Sequence, residues 1–322
     1  MIFHYHEGMT LKQQLLFYFA CRTGSCISGH VLAKTFQTPE KVIREVISEL
    51  AQDGFPFRIS EQEYYFEDDD TLSEAIIRAC GVSGEVPVYL FDEIDSTNLY
   101  ARKLAEEKTP AGTLVIADHQ NAGRGRRGHS FYSPARSGLY FSAVIYPDTD
   151  DRTLISRITP AAAVAAAEAI AEVTGIEPGI KWVNDLYLDG RKIAGILCEA
   201  VRPGAVIIGI GINCRPVPLP DEIKNIAGSL GIDTLSRSVL AGVLWEKLMR
   251  RTGDLADPDL MEEYRRRSAV LGKEITFTIN DRVFTGIAEA INDAGNLIVK
   301  KPDGDITILQ SGEISVRFTE KI

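Results

Sequence analysis

Apolar positions along the 322-residue chain change rhythm twice, and the changes mark three regions. Up to residue 66, apolar residues recur at helical spacing in LKQQLLFYFA, SGHVLAKTF and TPEKVIREVISELAQDG, then alternate in FPFRIS and EYYF. Three helices followed by a hairpin predict a winged helix-turn-helix unit over 1–66. Thr38 and Pro39 carry cap chemistry for the third helix. Val42, Ile43, Val46, Ile47 and Leu50 form its inward stripe, and Glu40, Lys41, Arg44, Glu45 and Ser48 its outward set. The acidic run EDDD (67–70) reads as a break.

From 71 to 270 the apolar runs are strand-length: VYLFDEI, TLVIADHQ, GLYFSAVIY, IKWVNDLYL, RKIAGILCEA and AVIIGIGINC. Helices are expected to begin at Ser96, Pro160 and Ser236. Strand often follows strand directly, so the class is α+β, with a largely antiparallel mixed sheet. ITPAAAVAAAEAIAEV (158–173) is apolar almost throughout, with Thr159 as cap, Pro160 in its first turn and Gly175 past its end. It holds Glu168 and falls short of the roughly 20 residues a membrane span needs, so it reads as a buried helix. From 271 to 322, EITFTI, VFTGIAEAI, NLIVKK, ITILQ and EISVRF are separated by the turn formers NDAGN and PDGD. Short strands at that spacing predict a small barrel.

Composition is that of an ordinary globular chain, 45% hydrophobic and 25% charged. The net charge of −10 removes any chain-wide basic footprint, so contact with nucleic acid would need a local patch. Residues 1–66 do not supply an obvious one. Lys12, Arg22, Lys34, Lys41, Arg44 and Arg58 stand against Glu7, Glu40, Glu45, Glu49, Asp53, Glu61 and Glu63. The expected wing tip, Ser60-Glu61-Gln62-Glu63, would repel phosphates. DNA binding is therefore set against a winged helix kept for dimerisation, docking or support of the rest of the chain. Cys21, Cys26, Cys80, Cys198 and Cys214 include no C-x-x-C, which argues against a disulfide framework or a zinc site and for a reducing, cytoplasmic setting. MIFHYHEGMT has no basic segment leading into an apolar core, so no signal peptide is expected.

Three stretches carry chemistry. GRGRRG (123–128) has the G-x-G-x-x-G spacing of a dinucleotide-binding turn, but HSFYSPARSGLYFSAVIY follows it and opens no helix, which that reading requires. Arg124, Arg126 and Arg127 instead put three permanent cations on a bendable loop, suited to gripping carboxylate or phosphate. LYL-DG-RKIAGIL (186–197) is a hairpin about Asp189-Gly190, pairing Tyr187 with Lys192 and Asp185 with Ala194, so that Asp185 and Lys192 are diagonal neighbours. Alternation through KWVND places Lys181, Val183 and Asp185 on one face. Taken alone, the hairpin reads better as a surface ion pair than as a catalytic one. In FDEIDSTNLYARKLAEE, Asp95 or Ser96 caps a helix and Ser96, Thr97 and Asn98 sit at its positive end, where they either bind a polar ligand or simply cap.

Together, DSTN (95–98), ADHQNAGRGRRGHSFYSP (117–134), KWVNDLYLDGRKIAGILCE (181–199), GIGIN (209–213) and SGEISVR (311–317) resemble the biotin protein ligase family. With the N-terminal unit, the chain looks like the bifunctional biotin ligase/repressor type. The resemblance implies a biotin/lipoate-ligase-like catalytic domain at 71–270 and an SH3-like domain at 271–322. It implies formation of biotinyl-5′-AMP from biotin and ATP with Mg²⁺, then transfer of biotin to a lysine of a biotin carboxyl carrier protein. By the same resemblance Lys192 bridges carboxylate and α-phosphate, Arg124 and Arg126 lie along the anionic groups, and Asp185 orients or deprotonates the acceptor lysine. Ser96, Thr97 and Gln120 match contacts to the ureido ring, with Gly123 and Arg124 near it. Asn184 and Asn213 match adenine contacts, and Phe131 stands where tryptophan is frequent. Asn98, Gly125, Arg127, Gly128 and Gly195 complete the implied ligand set, and no resident metal site is implied. Val183 replaces a common proline, while His129 and Ser130 stand where basic residues are frequent. A ligand-driven homodimer is implied; no membrane contact is. The alternatives are a biotin-sensing repressor without ligase activity and a lipoate or octanoate transferase.

Overall fold

The computed structural model describes residues 10–316 apart from 21, 23, 68–69, 203, 280–281 and 311–313. Residues 1–9 of the opening stretch, Cys21, the middle of EDDD and most of SGEISVR therefore lie outside the described residues.

Helices α1 (Leu11–Ala20), α2 (Gly29–Phe36) and α3 (Glu40–Gln52) stand beside an antiparallel sheet of order β1 (Cys26–Ser28), β3 (Glu63–Phe66), β2 (Phe57–Ile59). Three residues show no period, so β1 is invisible in the sequence; it is a strand because Cys26 pairs with Tyr65. Ile43, Ile47 and Leu50 are buried as expected, but Val42 is 37% exposed, which narrows the inward stripe of α3. Pro39 holds the cap position of α3 with no side-chain cap, and the Thr38 hydroxyl donates to the Phe36 carbonyl instead.

The central sheet has the order β4 (Val88–Ile94), β5 (Leu114–Gln120), β6 (Gly138–Ile145), β10 (Ala205–Asn213), β9 (Arg191–Val201), β8 (Asp185–Leu188), β7 (Gly179–Lys181). Only β4 and β5 are parallel, so the sheet is mixed as the strand spacing predicted. Alternation divides it between two apolar layers. Val115, Val144 and Ile207 face α5 (Thr97–Glu106). Ile116, Phe141 and Ile208 face the layer of α7 (Ile158–Thr174) and α8 (Arg237–Gly253).

Thr159 lies inside α7 rather than at its cap, while Gly175 ends the helix in the left-handed conformation as expected. With α6 (Arg152–Ser156) the stretch 152–174 is longer than the sequence suggested, and long and apolar enough to cross a membrane by composition alone. Most of it is buried inside the protein, the profile of a core helix. The pattern also misses α4 (Glu74–Ala79) and α9 (Pro258–Arg266). Where α4 meets α8 the backbones nearly touch: a Cβ on Gly81 would lie 2.1 Å from the Gly242 carbonyl oxygen.

The C-terminal strands β11 (Glu274–Ile279), β12 (Arg282–Ile291), β13 (Leu297–Lys300), β14 (Ile306–Leu309) and β15 (Ile314–Val316) pair in the order β14-β13-β12-β11-β15. Among the described residues β14 and β15 do not pair, so the expected closed barrel is an open five-stranded sheet.

The acidic break contains a buried bolt. Asp70 is 8% exposed and accepts from Arg237 Nε at 2.7 Å, with Arg215 Nη1 also at 2.7 Å. Arg237 in turn reaches Asp118 on β5 and the Gly138 carbonyl. Burial pushes the Asp70 carboxyl above its ordinary range, against the pull of Arg237 and Arg215.

Candidate active site

The loop after β5 folds on itself. Phe131 N–H donates to the Gly123 carbonyl at 2.8 Å, Gly125 N–H to the His129 carbonyl at 2.7 Å, and Arg124 bridges to Ser130. A Cβ at Gly123 would stand 2.3 Å from the Phe131 oxygen, so the pinch requires glycine. One three-residue helical turn, Arg126–Gly128, is all the helix GRGRRG contains, and this excludes the dinucleotide-binding turn.

Behind the loop lies a slot of about 470 Å³, its open mouth included. Ser96, Thr97, Asn98 and Gln120 form its polar end, with Gly195, Gly209 and Gly211 among its lining. Ser96 holds the cap position of α5, yet its side chain makes no capping bond. Asn98 is committed to the protein: its NH₂ reaches Glu199 at 2.9 Å and the Leu197 carbonyl at 3.3 Å, and its oxygen accepts from Ser142 at 2.6 Å. Asn98 thus shapes the slot rather than offering it free donors. Phe131 lies on the glycine floor, since a Cβ on Gly211 would be 2.5 Å from its ring.

The KWVND stretch does not run straight. β7 and β8 pair antiparallel, Lys181 opposite Asp185, so residues 182–184 form a turn and the expected shared face of Lys181, Val183 and Asp185 is lost. The Asp189-Gly190 turn pairs Tyr187 with Lys192 as predicted. A bulge then shifts the register, and Asp185 faces Gly195 instead of Ala194. The predicted meeting survives the shift: Lys192 Nζ is 2.6 Å from Asp185 Oδ1. The contact is one of charge, because no donor meets that oxygen in hydrogen-bond geometry. A Cβ on Gly195 would stand 3.1 Å from Lys192 Nζ, so the ammonium lies across the glycine.

A second cavity of about 1920 Å³, widely open to solvent, adjoins the slot. Gly125, Arg126, Phe131, Asn184 and Lys192 line both and form their common border. Arg127, Asp185 and Asn213 line the larger one alone, and Arg124 and Gly195 the slot alone. Gly123 and Gly128 line neither and serve the loop's bends. Asn184 accepts from Arg126 Nη1 at 2.9 Å and donates to the Ile196 carbonyl at 2.8 Å, while Asn213 donates to the Gly228 carbonyl at 2.8 Å. Burial raises the Tyr187 hydroxyl pKa, with Asp185 adding to the effect and Lys192 opposing it. Burial pushes the Cys198 thiol up to about 11, which leaves it unreactive near neutral pH.

Sequence reasoning did not single out Ser133, Ser142 or Tyr264. Tyr264 on α9 donates to the Val183 carbonyl at 2.9 Å, and Trp182 Nε1 to the Gly295 carbonyl at 2.9 Å, so the 182–184 turn is held from behind. No local period signals such contacts.

The biotin/lipoate A/B protein ligase family matches residues 90–215, and the biotin protein ligase C-terminal domain matches residues 270–317. The bifunctional ligase/repressor BirA of Bacillus subtilis is 32% identical over 315 residues, 92% of this chain and 95% of its own. The chain belongs to the biotin protein ligase family. BirA of Escherichia coli is 32% identical over 71% of this chain and 73% of its own. Among solved structures, a biotin protein ligase from Aquifex aeolicus in complex with biotin and ATP superimposes with a TM-score of 0.62 at 28% identity, covering 72% of this chain and 99% of that one. Both cavities are lined from inside the matched segment 90–215, apart from the stretch Pro216–Ser229 at the outer wall.

Proposed function

We propose that this chain is an ATP-dependent biotin protein ligase that forms biotinyl-5′-AMP and passes biotin to a lysine of a biotin carboxyl carrier protein. The observation that supports this most is the common border: Arg126 and Lys192 stand where a slot with a polar end meets a larger cavity. A ligand with a polar ring, an apolar arm and an anionic junction to a nucleotide fits that order. In the first step a biotin carboxylate oxygen attacks the α-phosphorus and pyrophosphate leaves. Two anions must approach, and fixed cations at the border neutralise them without reorganising. Mg²⁺ would be held largely by the nucleotide's own phosphates and would share their charge. In the second step the acceptor amine attacks the acyl carbon, AMP leaves, and the amine's proton goes to Asp185 or to water. Docking contributes by making that attack local.

The slot's hydrogen-bonding end favours biotin over lipoate. A dithiolane would leave buried donors and acceptors unpaired, whereas a urea satisfies both kinds.

The N-terminal three helices with their β2–β3 hairpin fit a winged helix, and the C-terminal sheet an SH3-like domain. A repressor role belongs to the same reading by the relatives' name, and operator binding and a ligand-driven homodimer by the family resemblance. Geometry favours the enzyme over the repressor: Arg44 donates to the Glu61 carbonyl, Lys12 sits 2.5 Å from Asp53, and Arg58 3.2 Å from Glu67. Three cations of the N-terminal unit thus already face protein acceptors.

The test is labelling of a purified carrier domain, followed by mass. The parent should add one biotin per carrier with ATP and none with lipoate. Lys192→Met should lower the rate roughly 10²- to 10³-fold, the scale of losing one fixed charge-stabilising donor. A parent that labels nothing, or a variant at the parental rate, would overturn the reading.

A further inference from the structure

The hydrogen bonds around Gln120 have a fixed direction. Its Oε1 accepts from the Thr97 backbone N–H at 2.9 Å and from the Thr97 hydroxyl at 3.1 Å. With the oxygen committed, the NH₂ group must point the other way. One of its hydrogens goes to Ser133 Oγ at 3.0 Å, and the other is left for the slot that Gln120 lines. Ser133 then donates its single proton to the Phe131 carbonyl at 2.9 Å. Its own backbone carbonyl accepts from the Gln120 N–H at 3.1 Å. Ser133 is 3% exposed, and a Cβ on Gly123 would stand 2.6 Å from its oxygen.

Ser133 therefore stands between an amide that faces the slot and the carbonyl at the closing leg of the 123–131 loop. We propose that Ser133 is a positioning residue that couples occupation of the slot to closure of the glycine-arginine loop, and so to retention of the adenylate. This rests on the biotin ligase reading above. A ligand acceptor on the second Gln120 hydrogen polarises the amide and strengthens the chain beyond it, because hydrogen bonds in series reinforce one another in a low dielectric. In the opposite direction, opening the loop draws the Phe131 carbonyl away and leaves a buried hydroxyl without its acceptor. The slot and the loop thus favour each other's closed state without a ligand atom touching Ser133.

The experiment uses the full chain with Ser133→Ala, Gln120→Ala and the double variant. Each is loaded with radiolabelled biotin and ATP, and release of labelled adenylate is followed after a chase. Ser133→Ala should speed release about tenfold, the factor of one ordinary hydrogen bond, with KM for ATP within about twofold of the parent. The double variant should release no faster than Gln120→Ala alone. Parental release from Ser133→Ala, or effects that multiply in the double variant, would overturn the coupling. A parent that forms no adenylate defeats the ligase reading instead. The tether is then read without ligand, from trypsin cutting after Arg124, Arg126 and Arg127: faster cutting in Ser133→Ala at an unchanged melting temperature supports it, and equal cutting refutes it.

Discussion

Two glycines on β10 offer a controlled comparison, because Gly209 and Gly211 point to the same side of the same strand. A methyl at Gly209 would lie 2.0 Å from Asn98 Oδ1, and a methyl at Gly211 2.5 Å from the Phe131 ring. Both distances force a neighbour to move, but the neighbours differ. Asn98 is 4% exposed and locked by Ser142, Leu197 and Glu199. Displacing it breaks two neutral bonds of about 1 kcal/mol each and one to a carboxylate of roughly 1.5–3 kcal/mol. Replacing glycine by alanine in a strand returns roughly 0.5–1 kcal/mol. Gly209→Ala should therefore cost about 2.5–4.5 kcal/mol, which at roughly 2–4 °C per kcal/mol lowers the melting temperature by about 5–18 °C. Phe131 is only half-buried, and its ring end can rotate toward the open cavity. Gly211→Ala should cost less than about 1 kcal/mol in melting and show itself in ligand binding, with a several-fold rise in KM for biotin. Thermal unfolding of the ligand-free variants and steady-state labelling supply both numbers. Equal melting temperatures, or the reverse order, would show that these contacts do not govern the floor of the slot.

Two further outcomes follow from ion pairs. Arg237→Met strips a buried Asp70 of its main partner and should destabilise the chain by about 3–5 kcal/mol in urea unfolding; a loss under about 1 kcal/mol would mean the bolt carries nothing. Glu263 on α9 has its carboxyl held below the ordinary 4.5 by Arg266 and then Arg267, so its contribution is complete above that value and is lost as pH falls through the lower folded one. The melting difference between parent and Glu263→Gln should therefore shrink between pH 7 and pH 3, and a gap that widens on acidification would have the wrong sign.

Most central strands were legible because sheet alternation is a local signal, and α7 because apolar density and Gly175 are too; the order of the strands in the sheet was not, since it depends on distant pairing. What escaped depends on distant partners. Asp70 looks like part of an acidic break in EDDD, since nothing within ten residues announces Arg237. The 182–184 turn is hidden because a tight turn between two half-buried strands keeps the apolar character of a single longer one. The bulge between Leu186 and Tyr187 is likewise silent, yet the Lys192–Asp185 meeting was foreseen, because a lysine is long enough to absorb a one-residue slip. The family resemblance implies the roles, and in the fold Asn184 and Asn213 already use their amides to hold the walls.

The glycines show why motif and geometry are not the same information. GRGRRG, KIAGIL and GIGIN read as fingerprints, with loop flexibility as the ready explanation. In the fold, four of these glycines have another reason: Gly123 faces the Phe131 carbonyl, Gly195 the Lys192 ammonium, Gly209 the Asn98 amide and Gly211 the Phe131 ring. Each leaves out a side chain so that a specific polar or aromatic group can lie flat against the backbone. The consequence is chemical. A lysine resting on a strand, with an aspartate beside it, is held to a narrow range of positions at the border of the two cavities, whereas a lysine over an alanine would be lifted away. Selection for glycine there would act on where a charge sits, and loop flexibility would be incidental to it.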